Sequence, residues 1–159
     1  MQVKSRHHLR SDDVSAVETA VGERLGVDLD GDAYELVEFE ESDWEVVLVD
    51  GEPLVAYFDE EPFLTVRGAN ATDPDDRLVI VDAGAVSFVS DGADVMRPGI
   101  ADVRGEITAG DLVLIAEESH EKVLAVGRSR VDGDELLGDA GKVVDSLHFV
   151  GDDLYSFSG

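Results

Sequence analysis

LVIVDAGAVSFVSDGADVMRPGI, residues 78–100, is the stretch whose reading decides the fold. Leu78–Val81 is a short run of branched apolar residues, the signature of a strand. Asp82 ends it, Gly84-Ala85 opens a short helix near 83–90, and Gly92-Ala93 closes that helix. Met96-Arg97-Pro98-Gly99-Ile100 follows as a turn, with Pro and Gly in the order a type II turn prefers at its two central positions. Arg97 stands out, because the chain carries 37 acidic and only 12 basic side chains. Two readings are open for it: a turn whose arginine pairs with a nearby carboxylate, or a turn that holds an arginine out to a partner.

The 159 residues suffice for one ordinary domain or two small ones, and a hydrophobic content of 43% supports a real core. No apolar run is long enough to span a bilayer. The start MQVKSRHHLR lacks the apolar stretch of a secretory signal, so a cytoplasmic location is expected. With no cysteine, disulfides, thiolate catalysis and cysteine-based metal sites are excluded. The net charge of −25 is spread over a chain that keeps its hydrophobic patterning, which is the look of a halophilic protein working in molar salt. At 1 M salt the Debye length is about 3 Å, so bulk acidity does not veto RNA as a partner. Counterion release contributes little there, and RNA affinity must come from shape, hydrogen bonds and stacking.

Basic residues are unevenly placed. Lys4, Arg6 and Arg10 crowd the start beside His7 and His8, and Glu38–Glu61 holds ten acids and no base. Ser11 is the expected N-cap of a helix over 12–25, with Val14, Val17, Val21 and Leu25 at helical spacing and Gly26 as its stop. Strands are expected at 34–39, 44–49, 54–58 and 63–66. Asp50-Gly51 signals a hairpin whose loop Pro53 lengthens. The polar run ANATDPDD, 69–76, reads as an interdomain linker. Beyond it come strands at 111–118 and 122–131, a loop at 132–140, and a last strand pair from KVVDSLHFV to DLYSF.

Signals of catalysis are weak. Asp28-Leu29-Asp30-Gly31-Asp32 places its glycine at the fourth position of a would-be calcium loop rather than the sixth, and reads as a turn. His7 and His8 are adjacent and face opposite ways in a strand, which is no metal site. No phosphate-binding glycine motif follows a strand, and His120 falls in a polar hairpin turn away from any serine. His148, between Leu147 and Phe149, is expected to be a structural histidine. No catalytic residue, metal ligand or cofactor is assigned, and the chain is expected not to be an enzyme.

The series of glycines and strands in the second half has a recognisable order. After Val81-Asp82, Gly84-Ala85, Gly92-Ala93 and Met96-Arg97-Pro98-Gly99-Ile100 come Ala109-Gly110-Asp111-Leu112-Val113 and Ala125-Val126-Gly127-Arg128-Ser129. Gly141-Lys142-Val143-Val144 and the segment Leu147–Tyr155 complete it. This series resembles the PUA domain over residues 77–157. KSRHHLR, LVDGEPLVAYF and EPFLTVRGA resemble the pre-PUA domain of an archaeal family related to ligatin and the malignant T-cell-amplified sequence protein. A tryptophan is common in that family where Tyr155 stands.

The resemblance implies an α+β pre-PUA domain over 1–74, then a mostly-β PUA pseudobarrel over 75–159. It implies binding of structured RNA, tRNA or small-subunit rRNA, in translation initiation or ribosome recycling, with the small ribosomal subunit and a density-regulated-protein-like factor as possible partners. An alternative is an accessory subunit that delivers RNA to a modification enzyme. The implied RNA-facing residues are Gly84, Ala85, Gly92, Ala93, Met96, Arg97, Pro98 and Gly99, with the last strand alongside. Glycine backbone suits close approach of phosphate or ribose. Arg97 supplies a planar bidentate donor, and Arg128, Arg130 and Lys142 widen the contact. Lys4, Arg6 and Arg10 form either a second phosphate-contacting arm or a solvated end.

Overall fold

The computed structural model describes residues 1–159 and divides into two compact units, Met1–Pro74 with Asp153–Gly159, and Asp75–Asp152. In the first unit, β1 (Val3–His8) leads into α1 (Ser11–Leu25). β2 (Tyr34–Phe39), β3 (Glu45–Val49), β4 (Glu52–Phe58) and β5 (Glu61–Leu64) then complete an antiparallel sheet in sequential order with β1 at one edge. Val17, Val21 and Leu25 of α1 are buried, as their spacing requires, and Gly26 ends the helix in the left-handed region at φ 68°. Ser11 is the first helical residue rather than the cap. The cap position falls on Arg10, whose side chain makes no capping bond; Asp12 and Asp13 supply the favourable negative charge in the first turn instead.

Two further sequence expectations change in this unit. The hairpin at Asp50-Gly51 is a tight two-residue turn, with φ of 51° and 87° and Val49 paired to Glu52. Pro53 does not lengthen it. Pro53 sits in β4 opposite Leu48 at a register shift, where its missing N–H breaks no regular ladder. The expected linker 69–76 is half helix, because α2 (Val66–Thr72) takes in its first four residues. Thr65 caps α2 by accepting from the Gly68 N–H at 3.0 Å, and its own hydroxyl donates to the Pro53 carbonyl at 2.8 Å. Gly68 is obligatory there, since a Cβ would lie 2.0 Å from the Leu54 carbonyl oxygen.

The second unit runs β6 (Leu78–Val81), α3 (Ala83–Ser90), β7 (Val95–Met96), a 3₁₀ turn at Arg97–Gly99, and β8 (Ile100–Arg104). β9 (Leu112–Glu117), β10 (Val123–Ser129), a 3₁₀ turn at Gly133–Glu135 and β11 (Lys142–Phe149) follow. The strands form a curled six-stranded sheet in the order β7-β11-β10-β9-β6-β8. β6 and β9 run parallel and every other pair is antiparallel. Alternate residues Val79, Val81, Val113, Ile115, Ala125 and Val144 fill the interior with no exposure. An α+β unit followed by a mostly-β pseudobarrel is the fold class expected from the sequence.

The last strand expected from DLYSF is instead a short helix, α4 (Asp153–Ser156). Gly151, at φ 89°, breaks the extended run. The Asp152 carboxylate then closes a turn, accepting from the Phe149 N–H at 3.0 Å and the buried His148 ring at 2.8 Å. An ionised carboxylate only accepts, so the His148 proton is on Nδ1. From Asp153 onward the chain packs into the first unit: Leu154 is buried, Phe157 meets Phe39 edge-on at 4.9 Å, and Arg67 lies over the Tyr155 ring at 5.2 Å.

Leu154→Ala is expected to cost about 2–5 kcal/mol, the range for emptying a buried leucine site. Hydrogen exchange should show the loss in β1–β5 while β6–β11 keep their protection; the reverse pattern would place α4 with the wrong unit.

Candidate nucleic-acid interface

Asp82 organises the candidate surface. Its side chain caps α3, accepting from the Ala85 N–H at 3.1 Å, and its own N–H donates to the Gly99 carbonyl at 2.9 Å. The start of the helix and the 97–99 turn are thereby joined. That turn is 3₁₀, closed by the Ile100 N–H on the Arg97 carbonyl, and Gly99 does not adopt a left-handed φ, so the type II geometry is not formed. Small size is what Gly99 supplies, because a Cβ would stand 3.0 Å from the Ala85 methyl. Gly92 is held for a different reason: its φ is 93° and a Cβ would reach 2.7 Å from the Phe149 ring.

Seven of the eleven residues singled out from the sequence line one groove of about 630 Å³: Gly84, Ala85, Ala93, Met96, Pro98, Gly99 and Lys142. Gly92 is not among its lining and lies against the Phe149 ring instead. Arg97 points the other way. Its Nε donates to the Glu135 carbonyl at 2.9 Å and its Nη1 to the Ala140 carbonyl at 3.0 Å, while its N–H donates to Gly141 at 2.8 Å. Arg97 therefore pins the 135–141 loop, a role neither sequence reading anticipated. Arg128 donates to the Gly110 carbonyl at 2.7 Å, and Arg130 makes a forked contact with Asp145 at 2.7–3.1 Å. Neither lines the groove.

Electrostatically the groove is not cationic. Lys142, its one basic lining residue, is 3.0 Å from Asp94. Asp94 also accepts from the Ser146 N–H at 2.7 Å; that bond foremost, with Lys142 adding to it, holds its carboxyl below the usual range. Of the N-terminal bases, Arg6 is forked onto Glu35 at 2.9 and 3.0 Å.

Phe88 is the residue sequence reasoning missed: it lines the groove and is 66% exposed. Helical spacing carried the signal. Val89 lies in the core and Ala85 and Val86 pack against it, which leaves Phe88 on the outer face.

A curled mixed sheet with a capped helix and a glycine-bearing turn beside the last strand defines a PUA-type domain, and the PUA domain family matches residues 77–150. The chain belongs to a family of PUA-domain proteins that includes an uncharacterized protein of Methanocaldococcus jannaschii. The two are 40% identical over 118 residues, 74% of this chain and 73% of that protein. It is also similar to translation machinery-associated protein 20 of Saccharomyces cerevisiae, 32% identical over 87 residues, 50% of this chain and 48% of that protein. The match thus spans about half of the yeast relative. Among solved structures, a hypothetical protein of Pyrococcus horikoshii superposes with a TM-score of 0.86 at 27% identity, covering 98% of this chain and 100% of that one.

Arg97→Ala is expected to lower stability by about 1–3 kcal/mol through loss of charge-assisted bonds to two carbonyls. Amide exchange in the 135–141 loop should quicken, and Arg97→Lys, a point donor without the guanidinium fork, should not restore it. Unchanged exchange in Arg97→Ala would show that the loop holds itself.

Proposed function

We propose that the protein binds structured RNA, tRNA or small-subunit rRNA, through the groove of the second unit, without catalysing a reaction, in translation initiation or ribosome recycling. The observation that carries this reading is the convergence of seven residues, chosen for their place in the glycine series, on one concave surface. Membership of the PUA-domain family supports RNA as the ligand. Similarity to a protein whose name places it with the translation machinery supports the process.

In this reading Gly84, Ala85, Ala93, Met96, Pro98, Gly99 and Lys142 face RNA. Gly92 and Arg97 hold the surface in shape, and any RNA contact of Arg128 and Arg130 falls outside the groove. The 1–74 portion serves as a pre-PUA domain for docking to the small ribosomal subunit or a density-regulated-protein-like factor. A net charge of −25 suits a cytoplasm of molar salt, where contacts by shape and directed hydrogen bonds outlast phosphate attraction.

Gly84 gives the sharpest test. A Cβ there meets nothing closer than the Asp82 carboxylate at 3.4 Å, so the fold does not need this glycine. Gly84→Ala should leave stability unchanged or raise it by up to about 1 kcal/mol, since alanine is the better helix former. Its affinity for tRNA or an rRNA fragment in molar KCl should nevertheless fall several-fold. No binding of any of these RNAs by the folded wild type would overturn the reading. Co-sedimentation with 30S subunits in the same salt tests the link to translation.

A further inference from the structure

We propose that the outer edge of β1 docks an extended, acidic segment of a partner protein, which adds a strand to the first sheet. The inference rests on the docking role given to the first unit above, and names the surface used and the chemistry of what docks.

β1 pairs only with β2, so one whole side of it is an open sheet edge. The Leu9 N–H donates to the Tyr34 carbonyl at 2.9 Å, and His7 and Ser5 stand opposite Leu36 and Glu38. Bonded residues alternate in an antiparallel ladder, so Arg6 and His8 turn their N–H and carbonyl groups outward. Five of the six residues of β1 are exposed and Ser5 is half-buried. Edges are usually blunted by shortness, proline or charge. Here β5 has four residues and Pro62, β7 has two, and β8 carries Asp102 beside an Arg104 held by Glu121. β1 has six residues, with no proline and no acid. Its one irregularity lies at Val3–Ser5 and leaves Ser5–His8 in regular register.

Charge selects the occupant. The side chains of Lys4 and Arg10 make no hydrogen bond, ion pair or ring contact, a freedom that Lys122 alone shares among the other bases. A basic edge does not repel copies of a chain whose net charge is −25, so protection against association does not explain it. Two copies of β1 paired antiparallel would set bases beside bases, which is destabilising. A strand with acids at alternate positions instead meets Lys4 and Arg10 while its backbone bonds Arg6 and His8, the mode known as strand addition. An RNA strand would also meet the bases, but its phosphates only accept and leave the outward carbonyls unmatched. Main-chain bonds act at contact range, where molar salt screens little.

The test titrates the full chain in molar KCl with three short capped peptides at millimolar concentration, read by amide NMR. One alternates threonine with glutamate, one has lysine in place of glutamate, and one is the glutamate peptide N-methylated along its backbone. The glutamate peptide should shift the Arg6 and His8 amides and slow their hydrogen exchange. It should bind about 2- to 30-fold more tightly than the lysine peptide, the range for two cross-strand pairs of opposite charge. The methylated peptide should not bind. Lys4→Gln with Arg10→Gln should erase the preference for glutamate with an unchanged melting temperature, because neither side chain has a partner to lose. Equal binding of the methylated peptide, or shifts that avoid β1, overturns the proposal. A double variant that loses tRNA affinity, where the wild type takes no peptide, gives the edge to RNA and overturns it too. A wild type that takes no peptide yet co-sediments with 30S subunits overturns the edge and keeps the docking role; one that does neither fails both.

Discussion

The Asp82 N–H bonded to the Gly99 carbonyl, together with its carboxylate on the Ala85 N–H, ties the end of β6, the start of α3 and the 97–99 turn to one residue. Each bond alone contributes about 1 kcal/mol. Their joint effect is geometric: two segments 17 positions apart are set side by side, close enough that only small residues fit between them. Ala85 and Gly99 are small for that reason, with room for no more than a methyl on one side. The groove is the concavity left beside this joint. A larger residue at either position would separate helix from turn and flatten the surface.

Charge shapes the molecule differently. Arg6, Arg24, Arg77, Arg104, Arg130 and Lys142 each face a carboxylate, so half of a small complement of bases is already engaged. Exposed pairs of this kind add little stability and are weakened further by salt. Their consequence is that the protein offers few free cations to an anionic partner. Recognition then falls to backbone donors, apolar walls and aromatic faces, which salt screens less. A groove built from Ala85, Phe88, Met96 and Pro98 is consistent with that constraint, whereas a lysine-rich cleft would not be.

Much of the architecture was legible because it is written in local chemistry. Val17, Val21 and Leu25 at helical spacing marked α1, Asp50-Gly51 marked a hairpin, and the ordered glycines from Gly84 to Gly141 carried the resemblance that implied the pseudobarrel. The misreadings share a cause. DLYSF alternates like a strand, yet Leu154 and Phe157 are drawn into the first unit by partners such as Phe39, more than a hundred residues earlier. ANATDPDD is polar enough for a linker, yet Ala69 is buried because Thr65 caps a helix and Gly68 lets it rest on the Leu54 backbone.

The candidate site divides along the same line. The ordered series of glycines, read through its resemblance to the PUA domain, was enough to bring out its glycines, its turn and Lys142. The fates of the individual side chains depended on long-range contacts. Arg97 was open to two readings, a partner to a nearby carboxylate or a donor held out to a ligand, but carbonyls about 40 positions away bind its Nε and Nη1. Phe88 drew no reading at all, and it is because Val86 and Val89 pack on the core that its ring is left in solvent. Element order is a local property of a chain and can be read along it. Which arginine is engaged and which phenylalanine is exposed is settled only when distant segments meet, because burial and pairing belong to the neighbours as much as to the residue.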